Sequence, residues 1–116
     1  MRPESLKYLY DVMQATGIIA KVCSTITYAH FAEDVVIRSA VERQFEIAGE
    51  ALSQLGKIDS GTFDRVPHAP QIVAFRNFLI HRYAHVNSLL VWGIVQNDLG
   101  NLQAVTGKLL DEGEAV

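Results

Sequence analysis

Along most of this chain apolar residues recur at spacings of three and four, the period of an α-helix with one buried face. Leu6, Leu9, Tyr10, Met13, Ile18 and Val22 carry that pattern to about Cys23, starting from Pro3 and Glu4, which suit a first helical turn. Gly17 weakens this helix without ending it. A second periodic segment opens at Phe31 and runs through Val35, Val36, Ala40, Phe45, Ile47, Ala48, Leu52 and Leu55 to Gly56, a candidate C-terminal cap. Breakers then crowd the stretch from about 56 to 70, where Gly56, Asp59, Ser60, Gly61, Asp64, Pro67 and Pro70 predict a loop with space for one short turn around Phe63. A third helix is expected over about Pro70 to Ala84. Asn87 and Ser88 offer the N-cap of a fourth, which carries Leu89, Trp92, Val95, Leu99, Leu102, Val105 and Leu109. No strand-like alternation of any length competes with these helices. The expectation is one all-α domain over 1–116, an up-and-down four-helix bundle with a flexible C-terminal tail at 111–116.

Composition sharpens the picture. With 116 residues, 49% of them apolar and 20% charged, the chain has the make-up of a single soluble globule. A chain this short buries a modest fraction of its surface, so a helical domain this apolar is expected to cover a further face with a second copy, as a homodimer. The longest apolar run, Leu89 to Val95, is far short of the roughly 20 residues of a membrane span. The start, Met1-Arg2-Pro3-Glu4, has no apolar signal core behind it, so no membrane partner is expected. Cys23 is the single cysteine, which rules out an intrachain disulfide and fits a reducing cytoplasm. A net charge of −3 argues against indiscriminate nucleic-acid binding, which draws on many Lys and Arg contacts. Any RNA site must therefore be local. Between 65 and 85 the chain holds Arg65, Arg76, Arg82, His68, His81 and His85 and no acid, either a solvated basic turn or such a site.

From Arg76 to Tyr83 the sequence reads Arg-Asn-Phe-Leu-Ile-His-Arg-Tyr, gathering a cation, an amide, an imidazole and a phenol within about two helical turns. The apolar residues Ile72, Val73, Phe75, Leu79, Ile80 and Val86 are expected to form one arc centred near Arg76, with Asn77, His81 and His85 on an adjoining strip. Arg76, four residues, His81, one residue and Tyr83 match the Arg-x4-His-x-Tyr motif of HEPN domains, and the chain resembles the HepT-like toxin ribonucleases among them. The segment Val41-Glu42-Arg43-Gln44-Phe45-Glu46-Ile47-Ala48-Gly49-Glu50-Ala51 is similar to that family's second-helix signature, an apolar-Glu-x-x-Gly-Glu-Ala run. The resemblance implies a helical homodimer that acts as a metal-independent endoribonuclease without a cofactor. It also implies the toxin role of a type VII-like toxin-antitoxin pair, neutralised by a minimal nucleotidyltransferase (MNT) antitoxin. Carried onto this chain, it makes Arg76 and His81 the catalytic pair, Asn77 the polar residue after the arginine, and Tyr83 the tyrosine that the antitoxin adenylylates. Arg82 departs from the pattern, standing where many relatives carry a small residue; with His85 it is a candidate RNA contact.

The residues also argue chemistry on their own. Metal-free RNA cleavage requires activating a ribose 2′-hydroxyl, stabilising charge on the phosphate and protonating the departing 5′-oxygen. Imidazole ordinarily titrates near pH 6.5, which makes His81 the proton carrier, and Arg76 supplies a planar fork for two phosphate oxygens. Residues five apart, however, diverge by roughly 140° around a helix and about 7.5 Å along it. Two copies of this helix beside a shared groove would close that gap. A quieter role for Arg76 is pairing with Glu46 or Glu50, since a buried guanidinium needs a partner. Gly49 between them suits close helix packing. His81 and His85, four apart, could begin a metal site, but the pattern lacks a third ligand, so none is expected. A non-catalytic helical partner of a nucleotidyltransferase is the alternative function. A DNA-binding helix-turn-helix is disfavoured because the third helix lacks a basic exposed face.

Overall fold

Asp34 divides what periodicity alone reads as one helix from Phe31 to Gly56, and Thr27 starts the first piece ahead of Phe31, at Tyr28. The computed structural model describes residues 1–81 and 86–115, and among these it holds seven α-helices and no strand: α1 Pro3–Cys23, α2 Tyr28–Glu33, α3 Val35–Ile58, α4 Ser60–Arg65, α5 Ala69–His81, α6 Ser88–Asn97 and α7 Leu99–Glu114. The Thr27 side chain accepts from the His30 amide to start α2, and Asp34 accepts from the Val36 and Ile37 amides to start α3. Each oxygen satisfies donors that a first helical turn leaves open. Asn87 does the same for α6, accepting from Leu89 and Leu90, as its sequence position suggested.

Gly56 does not end α3. The helix runs on to Ile58, and Asp59 stops it by leaving helical geometry (φ −152°, ψ 73°) while capping α4 through the Thr62 amide. The glycine serves packing instead, since a Cβ there would lie 3.2 Å from the Phe63 ring of α4. The fourth helix of the sequence reading is likewise interrupted, at Asp98. Its amide still donates to the Ile94 carbonyl at 2.9 Å and its carbonyl accepts from Leu102 at 3.1 Å, so the break is a one-residue kink among the weak helix formers Asn97, Asp98 and Gly100. α7 then continues to Glu114, into the segment expected as a tail.

Four long arms remain: α1, α3, α5 and the kinked α6–α7 unit, with α2 and α4 as short connectors. Ser5 near the start of α1 donates to Asp59 beyond the end of α3 at 2.7 Å, so these two run antiparallel. α5 runs back along α3, with Phe75 edge-on to Phe45 at 5.3 Å between ring centroids. α7 returns along α1, placing Gly107 at Met13 and Gly113 at Leu6. The core stripe of α1 is rotated from the expected one. Ser5, Leu9, Val12, Thr16, Ile19 and Cys23 are buried, whereas Tyr10 and Ile18 are exposed. Small polar residues can occupy that stripe because their hydroxyls are satisfied, Ser5 by Asp59 and Thr16 by the Val12 carbonyl at 2.8 Å. Phe45, Leu52 and Leu55 of α3 and Leu102 and Leu109 of α7 share the core with this stripe, and α5 adds Ile72, Phe75 and Leu79 from its place against α3.

Candidate functional site

The buried stripe of α5 sets where its polar residues point. Ile72, Phe75 and Leu79 fix the inward face, and Arg76 stands at the flank of that face instead of at its centre. Ala74, Asn77, Phe78 and His81 are exposed and share the opposite side at the i, i+3, i+4, i+7 spacing of one helix face. Ile80, expected in the apolar arc, is 43% exposed, and Phe78 is 50% exposed. Val86 is buried but lies beyond the end of α5.

Arg76 is held at both ends of its fork. One terminal nitrogen, Nη2, meets Glu50 Oε2 at 2.7 Å, and the other, Nη1, donates to Asn77 Oδ1 at 2.7 Å. The choice between Glu46 and Glu50 thus falls on Glu50, while Glu46 lines the same groove without closing on the guanidinium. Gly49 makes the contact possible. A Cβ at that position would sit 2.3 Å from Arg76 Cβ and 3.0 Å from the Ile72 carbonyl oxygen, so only glycine lets α5 approach α3 this closely.

The fork opens on a groove of about 510 Å³ between α1, α3 and α5, lined by Lys7, Tyr8, Arg43, Glu46, Glu50 and Arg76 among others. Lys7 is paired with Asp11 at 2.8 Å, and the hydrogen bond and charge of that carboxylate hold Lys7 above the ordinary lysine value. Its ammonium also lies 5.4 Å from the centre of the Tyr8 ring. Lys7, Tyr8 and Arg43 were absent from the sequence-derived site. The signal for Arg43 was its spacing, since 43, 46, 47, 50 and 54 trace one face of α3. Nothing in the sequence placed α1 beside them.

His81 is the last residue of α5, exposed and outside the groove lining. A single chain therefore does not bring it to the Arg76 guanidinium, in keeping with the roughly 140° between positions five apart. Arg82, Tyr83 and His85 lie outside the described residues. The remaining histidines have carboxylate neighbours, Asp34 at 3.5 Å from His30 and Asp98 at 4.0 Å from His68. Among the described residues no group of three His, Cys, Asp or Glu is placed to hold a metal ion. Cys23 is buried, and burial pushes its thiol up, which makes it a poor source of thiolate. Among the same residues no helix is long and apolar enough to cross a membrane.

The family model described as "Ribonuclease HepT-like" matches residues 12–109. The chain belongs to the HepT-like ribonuclease family. Relatives similar to it include "Putative RNase MJ1380" of Methanocaldococcus jannaschii, 32% identical over 83% of this chain and 87% of that protein. "Probable ribonuclease HepT" of Thermococcus cleftensis is 28% identical over 94% of this chain and 98% of its own length. "Putative RNase TTE0752" of Caldanaerobacter subterraneus is 28% identical over 90% and 93%, respectively. No solved structure matches the chain. The HepT-like span takes in Gly49, Glu50, Arg76, Asn77 and His81, whereas Lys7 and Tyr8 precede it. Ribonuclease is the enzyme class that goes with this family.

Proposed function

We propose that this HepT-like protein is a metal-independent endoribonuclease of the toxin type, in which Arg76 binds the scissile phosphate and His81 moves the proton. The observation that carries the reading is the division of labour on α5. A permanently charged fork is braced at 2.7 Å by Glu50 and 2.7 Å by Asn77, and an exposed imidazole ends the same helix. In the reaction the ribose 2′-oxygen attacks phosphorus and the bond to the 5′-oxygen breaks. His81 serves the proton transfers at these two oxygens, and Arg76 stabilises the charge that builds on the phosphate. Asn77 orients the planar fork through its bond to Nη1, and Arg82 and His85 add contacts to the RNA backbone.

The missing geometric step is supplied by a second copy. The outward face of α5 presents Phe78 beside Asn77 and His81, and Leu89 and Leu90 of α6 are 59% and 51% exposed. Large apolar side chains left in water are stabilised by burial at about 25 cal/mol per Å², and a two-fold axis repeats the same patch on both partners. A homodimer on this face sets Arg76 and His81 of two chains around one RNA strand. The partner that silences it is an MNT-type nucleotidyltransferase: the Tyr83 hydroxyl attacks the α-phosphorus of ATP, pyrophosphate leaves, and the attached AMP blocks RNA by volume and like charge.

Expression of the wild type, Arg76→Ala and His81→Ala in bacteria, followed by growth and total-RNA profiles, tests the reading. Growth arrest with RNA fragmentation is expected for the wild type alone. Equal growth of all three strains would reject catalysis and favour a non-catalytic helical partner of the nucleotidyltransferase. Purified protein should keep cutting RNA in excess EDTA.

A further inference from the structure

The groove beside Arg76 extends well past the guanidinium, and its walls carry chemistry that the catalytic pair does not use. Tyr8 contributes an aromatic ring, Ile47 and Ile80 contribute apolar surface, and Arg43 contributes a cation. Lys7 and Arg76 are each paired with a carboxylate at 2.8 Å and 2.7 Å. Arg43 is exposed and makes no ion pair among the described residues. With Asp11, Glu46 and Glu50 facing the three cations, the groove is near neutral overall. Such a site rejects a dense phosphate ladder, which needs many unopposed cations. A base, which is flat, uncharged and partly apolar, meets no such penalty. The volume of about 510 Å³ falls among small-ligand sites, which span about 300–1,000 Å³.

Resting on the ribonuclease reading, we infer that this groove holds one unstacked nucleotide of single-stranded RNA next to the phosphate at Arg76, with its base against Tyr8 and its own phosphate at Arg43. A strand whose scissile phosphate reaches Arg76 must run a neighbouring nucleotide over this groove, because Arg76 forms part of the wall. A base paired in a duplex cannot turn into it, so the groove selects unpaired RNA. The part of the Tyr8 ring that lines the groove, with the Lys7 ammonium 5.4 Å from its centre, is the surface a base would meet.

Binding of a fluorescent 2′-O-methyl oligonucleotide dodecamer of mixed sequence, uncleavable because its 2′-oxygens are blocked, tests this by anisotropy. Arg43→Ala and Tyr8→Leu should each weaken binding by about tenfold. Tyr8→Phe, which keeps the ring, and Lys108→Ala, outside the groove lining, should stay within about twofold. A duplex of the same sequence should fail to compete. Wild-type affinity in both Arg43→Ala and Tyr8→Leu, or equal competition by the duplex, overturns the assignment. So does loss of nucleotidyltransferase capture with unchanged RNA affinity, which would make the groove a protein dock. Should Tyr8→Leu not fold, the exposed Arg43→Ala decides alone. Cleavage that depends on Arg76 and His81 while both groove variants bind normally sinks this inference only; absence of cleavage in the wild type sinks the ribonuclease reading beneath it.

Discussion

Gly49→Ala adds one methyl group where α3 and α5 touch, and it is the sharpest test of how Arg76 is held. The new carbon would lie 2.3 Å from Arg76 Cβ and 3.0 Å from the Ile72 carbonyl oxygen, against an ordinary carbon contact of about 3.5–4.0 Å. Both obstructions belong to the α5 backbone or are bonded directly to it, so a side-chain rotation cannot relieve them. The helices must separate by about 1 Å or more. Overpacking of this kind costs about 1–3 kcal/mol, and rigid obstructions put it in the upper half of that range. Alanine returns about 0.8–1.0 kcal/mol through its better helix propensity. The net expectation is a loss of about 1–2 kcal/mol, a fall in Tm of roughly 5–10 °C for a domain of this size. Gly17→Ala in α1 is the matched control, because nothing lies within 4 Å of its added carbon; it should gain about 0.8–1.0 kcal/mol. Calorimetric or urea melts of both variants therefore move in opposite directions. RNA cleavage by Gly49→Ala should also drop, up to about a hundredfold, as Arg76 shifts by about 1 Å. A Gly49→Ala protein as stable as the wild type would refute the close approach and the bracing of Arg76 with it.

Glu50→Gln should alter stability by less than about 1 kcal/mol, because the side chains of Arg76 and Glu50 are 26% and 48% exposed and water screens their attraction. The glutamine amide oxygen can still brace the fork while the opposing charge is gone, so KM for RNA should fall more than kcat changes; a raised KM in steady-state assays would show that the bracing needs the carboxylate charge. Thr106→Val should raise stability by about 1 kcal/mol in thermal melts, since the buried Thr106 hydroxyl has no partner among the described residues; a lower Tm would point to an unseen partner. Bonds from the hydroxyls of Thr62 and Ser5 and from the Thr62 amide hold the Asp59 carboxyl below its ordinary value. A depressed carboxyl lends stability that is present above its unfolded value of about 3.9 and is lost as the pH falls through its folded one. The stability difference between wild type and Asp59→Asn should accordingly stay level from about pH 5 to 7 and shrink below about pH 4; a difference that persists in acid would refute that origin.

Local signals in the chain carried the helical class and the starts of α1, α5 and α6, because periodicity and capping act over a few residues. Asn87 capped α6 as its place in the sequence indicated, and the Gly-Glu-Ala segment with Arg-x4-His pointed to the family. Local signals failed where a distant neighbour decides. Gly56 has the look of a helix stop, yet Phe63 needs its empty side and α3 runs on to Ile58. On α1 the inner stripe includes Ser5 and Thr16, tolerated because Asp59 and the Val12 carbonyl satisfy their hydroxyls. A list of residues could not choose between Glu46 and Glu50 for Arg76, since both share one helix face; the crossing of α5 over Gly49 chose Glu50. The groove lay hidden for the same reason. Its walls come from three helices far apart in the chain, and only the packing that buries their apolar stripes brings Tyr8, Arg43 and Arg76 to one place.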